Sequence, residues 1–280
     1  MEFRKIVIIG MGFVGGSIGK ALLEKGLADE VVGVCRRQSS LDRAVKEKSL
    51  STGYVNDYEK AVEGADVIFI ATPVHTIEKV LDGLAEVLEG TEVIVTDVGS
   101  TKKKIVDHAS RYSDRFSFVG GHPLAGSEKT GVEYSSPDLF DGSLCVLTKG
   151  ESTPAEAVDK VKKIWKALGA VVHVTTPEGH DKILAFTSHL PHVAAYTLAG
   201  VQDLEFIKYM STGFRDTARI ASSDPESWSD IFLSNRDNLL KAIARFKELL
   251  SGIEDDIREG REESLKEKLK MCKRIRDGVI

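Results

Sequence analysis

One glycine-spaced turn constrains this chain more than any other feature. Gly10-Met11-Gly12-Phe13-Val14-Gly15 closes a run over 5–10 (KIVIIG) that is apolar enough for a strand buried on both faces. Val14, Ile18, Ala21 and Leu22 follow at helical spacing. A buried strand, a tight turn and an amphipathic helix open a βαβ unit, and G-x-G-x-x-G at that turn is a dinucleotide-binding fingerprint. Gly10 permits the turn, Gly12 lets backbone approach a pyrophosphate, and Gly15 lets helix and strand pack closely. The helix N-terminus adds free N–H groups and a positive dipole end. Gly10, Gly12, Phe13, Val14 and Gly15 are therefore the first candidate cofactor-binding residues.

The alternation continues. Residues 31–35 (VVGVC), 66–71 (DVIFIA) and 92–97 (EVIVTD) read as strands, and Val80, Leu84 and Leu88 mark a helix between the last two. Further strands are expected over 116–119, 144–147 and 170–174, with a helix over 154–168. Strands and helices in alternation predict right-handed crossovers and a parallel sheet. After Thr175 the texture changes. Thr176-Pro177-Glu178 is a helix start, and no strand pattern follows it. Leu239, Ile243, Phe246, Leu250, Ile253 and Ile257 form one apolar seam at alternating helical steps. A Glu- and Lys-rich helix over about 262–276 reads as a solvated face. The expected architecture is an α/β Rossmann-type dinucleotide-binding domain over 1–175 and an all-α substrate and dimerisation domain over 176–280. The seam is expected to pack on a second copy, as a homodimer.

Composition narrows the function. With 42% hydrophobic and 29% charged residues the chain is globular rather than disordered. Its 38 Lys and Arg against 43 Asp and Glu, net charge −5, lack the basic surface of a nucleic-acid binder. No run is long enough for a membrane span, and no signal-peptide cleavage pattern is present. Cys35, Cys145 and Cys272 are far apart and form no paired motif, as expected of a cytoplasmic protein.

The residues after the second strand bear on the cofactor. Arg36-Arg37-Gln38-Ser39-Ser40 stands where an NAD site usually places an acid on the ribose 2′-hydroxyl. Arg36, Arg37 and Ser39 suit a 2′-phosphate instead, so NADP is favoured over NAD. Thr72 and Pro73, after the third strand, are expected to line the dinucleotide crevice, with Ser100 beside the nicotinamide.

The chemistry gathers at later strand ends. Asp97-Val98-Gly99-Ser100 closes the fourth strand, and Gly120-Gly121-His122-Pro123-Leu124-Ala125-Gly126-Ser127-Glu128 follows. A His between Gly-Gly and Pro reads as a general base held on a stiff loop. These motifs, with S-H-L-P-H at 188–192 and G-F-R-D-T-A-R-I-A-S-S-D-P at 213–225, resemble the prephenate and arogenate dehydrogenases of tyrosine biosynthesis, over nearly the whole chain.

The resemblance implies oxidative decarboxylation of prephenate, or of arogenate, with a nicotinamide cofactor and no metal. It implies His122 as base, Ser100 as its hydrogen-bonding partner, and Arg219, His189 and Glu128 as substrate-site residues. Arg215 and Asp216 would line or gate the pocket. Trp228 would be core, or would approach from a partner subunit. His189 and His192 are spaced like half a metal site, but Pro191 intervenes and no further ligands complete a shell. His180-Asp181 reads as a structural pair. A β-hydroxyacid-type dehydrogenase would need a helical lysine, for which Lys182 and Lys208 are the candidates. A nicotinamide-dependent sensor would have no need of His122, Ser100 and Arg219 together. The length leaves no room for a further regulatory or mutase domain, so a single activity is expected.

Overall fold

A computed structural model describes residues 3–88, 92–126 and 129–278. Eight strands form one sheet: β1 Phe3–Ile9, β2 Ala28–Cys35, β3 Thr52–Val55, β4 Val67–Ile70, β5 Ile94–Asp97, β6 Ser117–Pro123, β7 Leu144–Lys149 and β8 Val171–Thr175. Their order across the sheet is β3-β2-β1-β4-β5-β6-β7-β8. Helices α1 Phe13–Glu24, α2 Gln38–Lys46, α3 Tyr58–Val62, α4 Val74–Val87, α5 Lys103–Ala109 and α6 Ala155–Ala167 belong to this part. The remainder is helical: α7 Pro177–Leu184, α8 Leu190–Gly200, α9 Thr212–Ala218, α10 Pro225–Ser234, α11 Arg236–Arg258 and α12 Glu262–Asp277.

Period-two alternation explains the continuous apolar runs. In β1, Ile6 and Ile8 point into one core with Ile18 and Leu22 of α1 and Trp165 of α6. Val7 and Ile9 point into the other, against Ile77, Leu81 and Leu84 of α4. A sheet covered on both faces needs apolar residues at every strand position.

Two features depart from the sequence reading. Strand β3 is short, includes Gly53 and runs along the sheet edge, so it carries no apolar run to announce it. The sheet is also not wholly parallel, because β7 runs antiparallel to β6, with Val146 opposite His122. A parallel neighbour would require a crossover helix. The described part of the β6–β7 connection holds only the short turn Val132–Tyr134, packed near α1.

Between α7 and α8 the helical ladder widens into a π turn over Ala185–His189. Pro191 follows at once and has no N–H to return to an earlier carbonyl, which favours such a slip. Side-chain ties join the helical part to the sheet part. The Asp181 carboxylate accepts the Lys102 and Lys103 backbone N–H groups at 2.7 and 2.9 Å. Thr101 Oγ1 lies 2.9 Å from Ser234 Oγ, and the His75 imidazole pairs with Asp230. The seam on α11 buries Leu239 but leaves Phe246, Leu250 and Ile257 at 42%, 54% and 65% exposure. Among the described residues no helix is long and apolar enough to cross a membrane.

Candidate active site

At the glycine turn, Gly10 has φ +99°, and a Cβ there would stand 2.6 Å from the Ala71 carbonyl oxygen. A Cβ at Gly15 would stand 2.0 Å from the Gly10 carbonyl, so only glycine lets α1 pack here. At Gly12 a Cβ would meet nothing within 4 Å, which is open space at the helix start. Phe13 and Val14 begin α1, which has no side-chain cap and no acid in its first turn. Thr72 Oγ1, beside this turn, is buried and has no hydrogen-bond partner among the described residues. An uncapped helix N-terminus, a vacant approach and an orphaned hydroxyl fit a bound pyrophosphate. Pro73 opens α4 next to it. Arg36, Arg37 and Ser39 are exposed where β2 passes into α2, and no acid occupies the first turn of α2.

The second half of the site is built on β5 and β6. Asp97, fully buried, accepts the Gly99 and Gly121 N–H groups at 2.8 and 3.0 Å and pairs with the fully buried Lys102 ammonium. This folds the loop carrying half-buried Ser100 back against β6. His122 lies within β6 rather than on a loop. Its frame is sheet hydrogen bonding, made possible because Gly121 lets β6 approach the Asp97 carbonyl, 2.5 Å from where a Cβ would stand.

His122 Nδ1 is 2.8 Å from His180 Nε2, and His180 Nδ1 is 2.8 Å from Asp181 Oδ1. The His180-Asp181 pair thus reaches the candidate base directly, and nothing in its local sequence announces this across 58 positions. Among the described residues, His122 Nε2 has no hydrogen-bond partner, and Ser100 makes no hydrogen bond to it.

On the helical side, His189 is 1% exposed, its Nδ1 lies 3.2 Å from Asn235 Nδ2, and its Nε2 is buried with no partner among the described residues. His192, set aside in the sequence as half of a metal pattern, stacks on Trp228 with ring centroids 3.3 Å apart. Trp228 is half-buried and also meets His189 edge-on at 6.2 Å, so it is part of this cluster rather than of the core. Arg219 is exposed at the end of α9, close enough for its charge to act on His192. Arg215 donates to the Met210 carbonyl at 3.2 Å, and Asp216 is exposed. Glu128 lies outside the described residues. Lys182 and Lys208 are exposed, the latter over the Tyr209 ring, and neither bonds to the residues above. Among the described residues no group of three His, Cys, Asp or Glu side chains could hold a metal ion.

Burial dominates the electrostatics. It holds His122 well below the ordinary 6.5, helped by the neighbouring His180, Lys102 and His189. Burial also lowers His180, and it takes His189 to about 4. Burial followed by the Arg219 charge pushes His192 down. Burial works against the Asp181 carboxylate, but hydrogen bonds from His180 and two backbone N–H groups outweigh it and keep its pKa low.

These groups give the fold's stability a pH dependence. The folded chain binds fewer protons at His122, His180 and His189 than the unfolded chain, so their contribution is complete above about pH 6.5. It is lost as pH falls from there toward about 4, the folded value of His189. Melting temperatures at pH 7.5, 6 and 5 should therefore fall stepwise. A flat profile would refute the assignment of buried neutral imidazoles.

Residues 18–174 match the family model described as prephenate dehydrogenase, nucleotide-binding domain, and residues 176–271 match prephenate dehydrogenase, dimerization domain. The chain belongs to the prephenate dehydrogenase family. A family relative from Bacillus subtilis (strain 168), a prephenate dehydrogenase, is 34% identical over 285 residues, spanning 98% of this chain and 76% of its own. The solved prephenate dehydrogenase of A. aeolicus, in complex with hydroxyphenyl propionate and NAD+, superposes with TM-score 0.92 at 36% identity, covering 100% of this chain and 99% of that one. Synechocystis arogenate dehydrogenase superposes with TM-score 0.84 at 30% identity, covering 99% and 100%. The family's architecture, a Rossmann-like sheet domain followed by a helical dimerization domain, is the one described above.

Proposed function

We propose that this protein is a prephenate dehydrogenase, converting prephenate to 4-hydroxyphenylpyruvate in tyrosine biosynthesis. The observation that carries this is a base, His122, whose Nε2 has no hydrogen-bond partner among the described residues, at the same end of the sheet as the glycine turn. The His189, His192, Trp228 and Arg219 cluster adjoins it on the helical side. The bound nicotinamide ring would supply the hydride acceptor. His122 Nε2 takes the proton of the substrate hydroxyl while the carbon bearing it gives up hydride and the ring carboxylate leaves as carbon dioxide. Arg219 pairs with a substrate carboxylate, the fixed local cation that a dianion needs on an acidic protein. Ser100 orients the substrate hydroxyl, and Glu128 and the orphaned His189 Nε2 meet the substrate.

The cofactor is held by Gly10, Gly12, Phe13, Val14, Gly15, Thr72, Pro73 and Ser100. NADP is favoured, on the exposed cations Arg36 and Arg37 with Ser39 beside them, although the A. aeolicus relative holds NAD+. The functional division falls at 175/176. The exposed half of the α11 seam covers itself on a second copy, giving a cytoplasmic homodimer whose buried Cys35 and Cys145 stay reduced. Arogenate is the second reading of the substrate, favoured by the Synechocystis likeness.

Initial rates with NADP and with NAD, each against prephenate and arogenate, test the whole. Prephenate with NADP should be fastest. Replacing Arg36 and Arg37 by Ala should lower kcat/KM for NADP about 10- to 100-fold and leave NAD nearly unchanged. Faster turnover with NAD would overturn the cofactor assignment. Silence in all four pairings, from a folded protein that binds dinucleotide, would overturn the dehydrogenase.

A further inference from the structure

We propose that Asp181 and His180 act through His122 as a two-step polarity relay, holding its proton on Nδ1 so that Nε2 is the basic nitrogen. The two are positioning residues. The inference deepens the functional reading above and rests on it only for the choice of reaction.

Asp181 is 3% exposed, and its oxygens take three N–H groups, from the Lys102 backbone, the Lys103 backbone and His180 Nδ1. Three donors keep it ionised and purely an acceptor. His180 has no exposure and is neutral, so it carries a single N–H, and facing a carboxylate that hydrogen must sit on Nδ1. Its Nε2 is then a lone pair. That lone pair stands 2.8 Å from His122 Nδ1, a distance at which two lone pairs would repel. His122 must therefore donate from Nδ1, and its Nε2 is left bare.

The same line serves the charged state. When Nε2 takes a proton, the imidazolium still donates to His180, whose own N–H points at Asp181. The carboxylate thus steadies the new charge from one residue farther away than in a serine-protease triad. The other groups around His122 do not compete for this role. Asp97 is neutralised by Lys102, the Cys145 thiol on β7 is driven up by burial and stays protonated, and His189 is neutral. Among the described residues, Asp181 is thus the carboxylate that reaches His122 through hydrogen bonds and forms no direct ion pair with a lysine or arginine. The base sits on β6 and its relay on α7, so the polarity of the base depends on the two parts of the chain being docked.

Nitrogen-15 spectra of histidine-labelled full-length protein at pH 7.5, with His122 assigned by its loss in a His122→Asn sample, read the tautomer directly. The wild type should show His122 protonated on Nδ1. His180→Leu should lose that signature and lower kcat about 10²-fold with KM nearly unchanged. His180→Gln can donate to Asp181 and accept from His122, so it should restore the signature and most of kcat. Wild-type His122 protonated on Nε2 would overturn the relay. So would a folded His180→Leu protein with kcat within about two-fold of wild type. If the Leu variant does not fold, the wild-type tautomer and the Gln variant decide, and a folded Gln variant lacking the Nδ1 signature also overturns it. Absence of wild-type turnover with either substrate counts against the functional reading, while the tautomer measurement still decides the relay.

Discussion

Replacing His122 by Asn should lower kcat about 10²- to 10⁴-fold, the usual worth of a positioned general base, with dinucleotide affinity unchanged. Asn keeps a polar group of similar reach within β6 but cannot take a proton. The glycine turn and the Arg36–Ser39 segment lie on other strands and should not respond. The wild-type pH profile belongs to the same expectation. A base held well below 6.5 is already deprotonated at neutrality, so activity should stay level as pH falls to about 6.5 and decline only below it. Steady-state kinetics and dinucleotide titration on the Asn variant check the first part, and kcat/KM against pH checks the second. An Asn variant within about ten-fold of wild type would remove His122 from the chemistry.

Lys102→Met should cost about 3–5 kcal/mol of folding stability, because it strands the Asp97 carboxylate in the interior with two backbone N–H groups as its remaining partners. The contrast is with pairs such as Lys266–Glu262 along α12, where both side chains are largely exposed and each pair contributes only tenths of a kcal/mol. Urea unfolding followed by circular dichroism measures the difference. Adding Asp97→Asn to Lys102→Met removes the stranded charge and should return part of the loss, so the two substitutions will not add. A single variant within about 1 kcal/mol of wild type would mean that Asp97 simply protonates. Loss of the ammonium should also move His122 upward, since Lys102 is one of the charges holding it down.

The sequence displays whatever is encoded locally. Gly10 and Gly15 are demanded by the backbone of one turn, and β1, β2, β4 and β5 are apolar because both sheet faces are covered. Direction is not local. The runs at 116–119 and 144–147 look alike whether the strands lie parallel or antiparallel, so the reversal between β6 and β7 was invisible. The Gly-Gly-His-Pro stretch reads as loop chemistry, although β6 continues to Pro123 because β7 pairs with it. The partner of His122 comes from the packing of α7 near the sheet, a tertiary fact that no spacing of residues records. The place of His192 is hidden in the sequence for a related reason, since its significance lies in the ring of Trp228, which a separate helix brings to it.

The π turn over Ala185–His189 makes this region sensitive to insertion and deletion in a way that it is not to substitution. Removing one residue there would close the wide turn to a regular one, and because the wide turn is what absorbs the extra residue, the later side chains of α8 would nearly keep their phase. His192, beyond the turn, would stay near the indole of Trp228, while His189, inside it, would lose its aim on Asn235. Point changes along the same stretch would leave the number of residues untouched. The turn therefore stores the aim of His189 as a residue count, so a single-codon deletion within 185–189 should lower kcat with His192 still stacked on Trp228, where most single replacements in the stretch disturb that aim less.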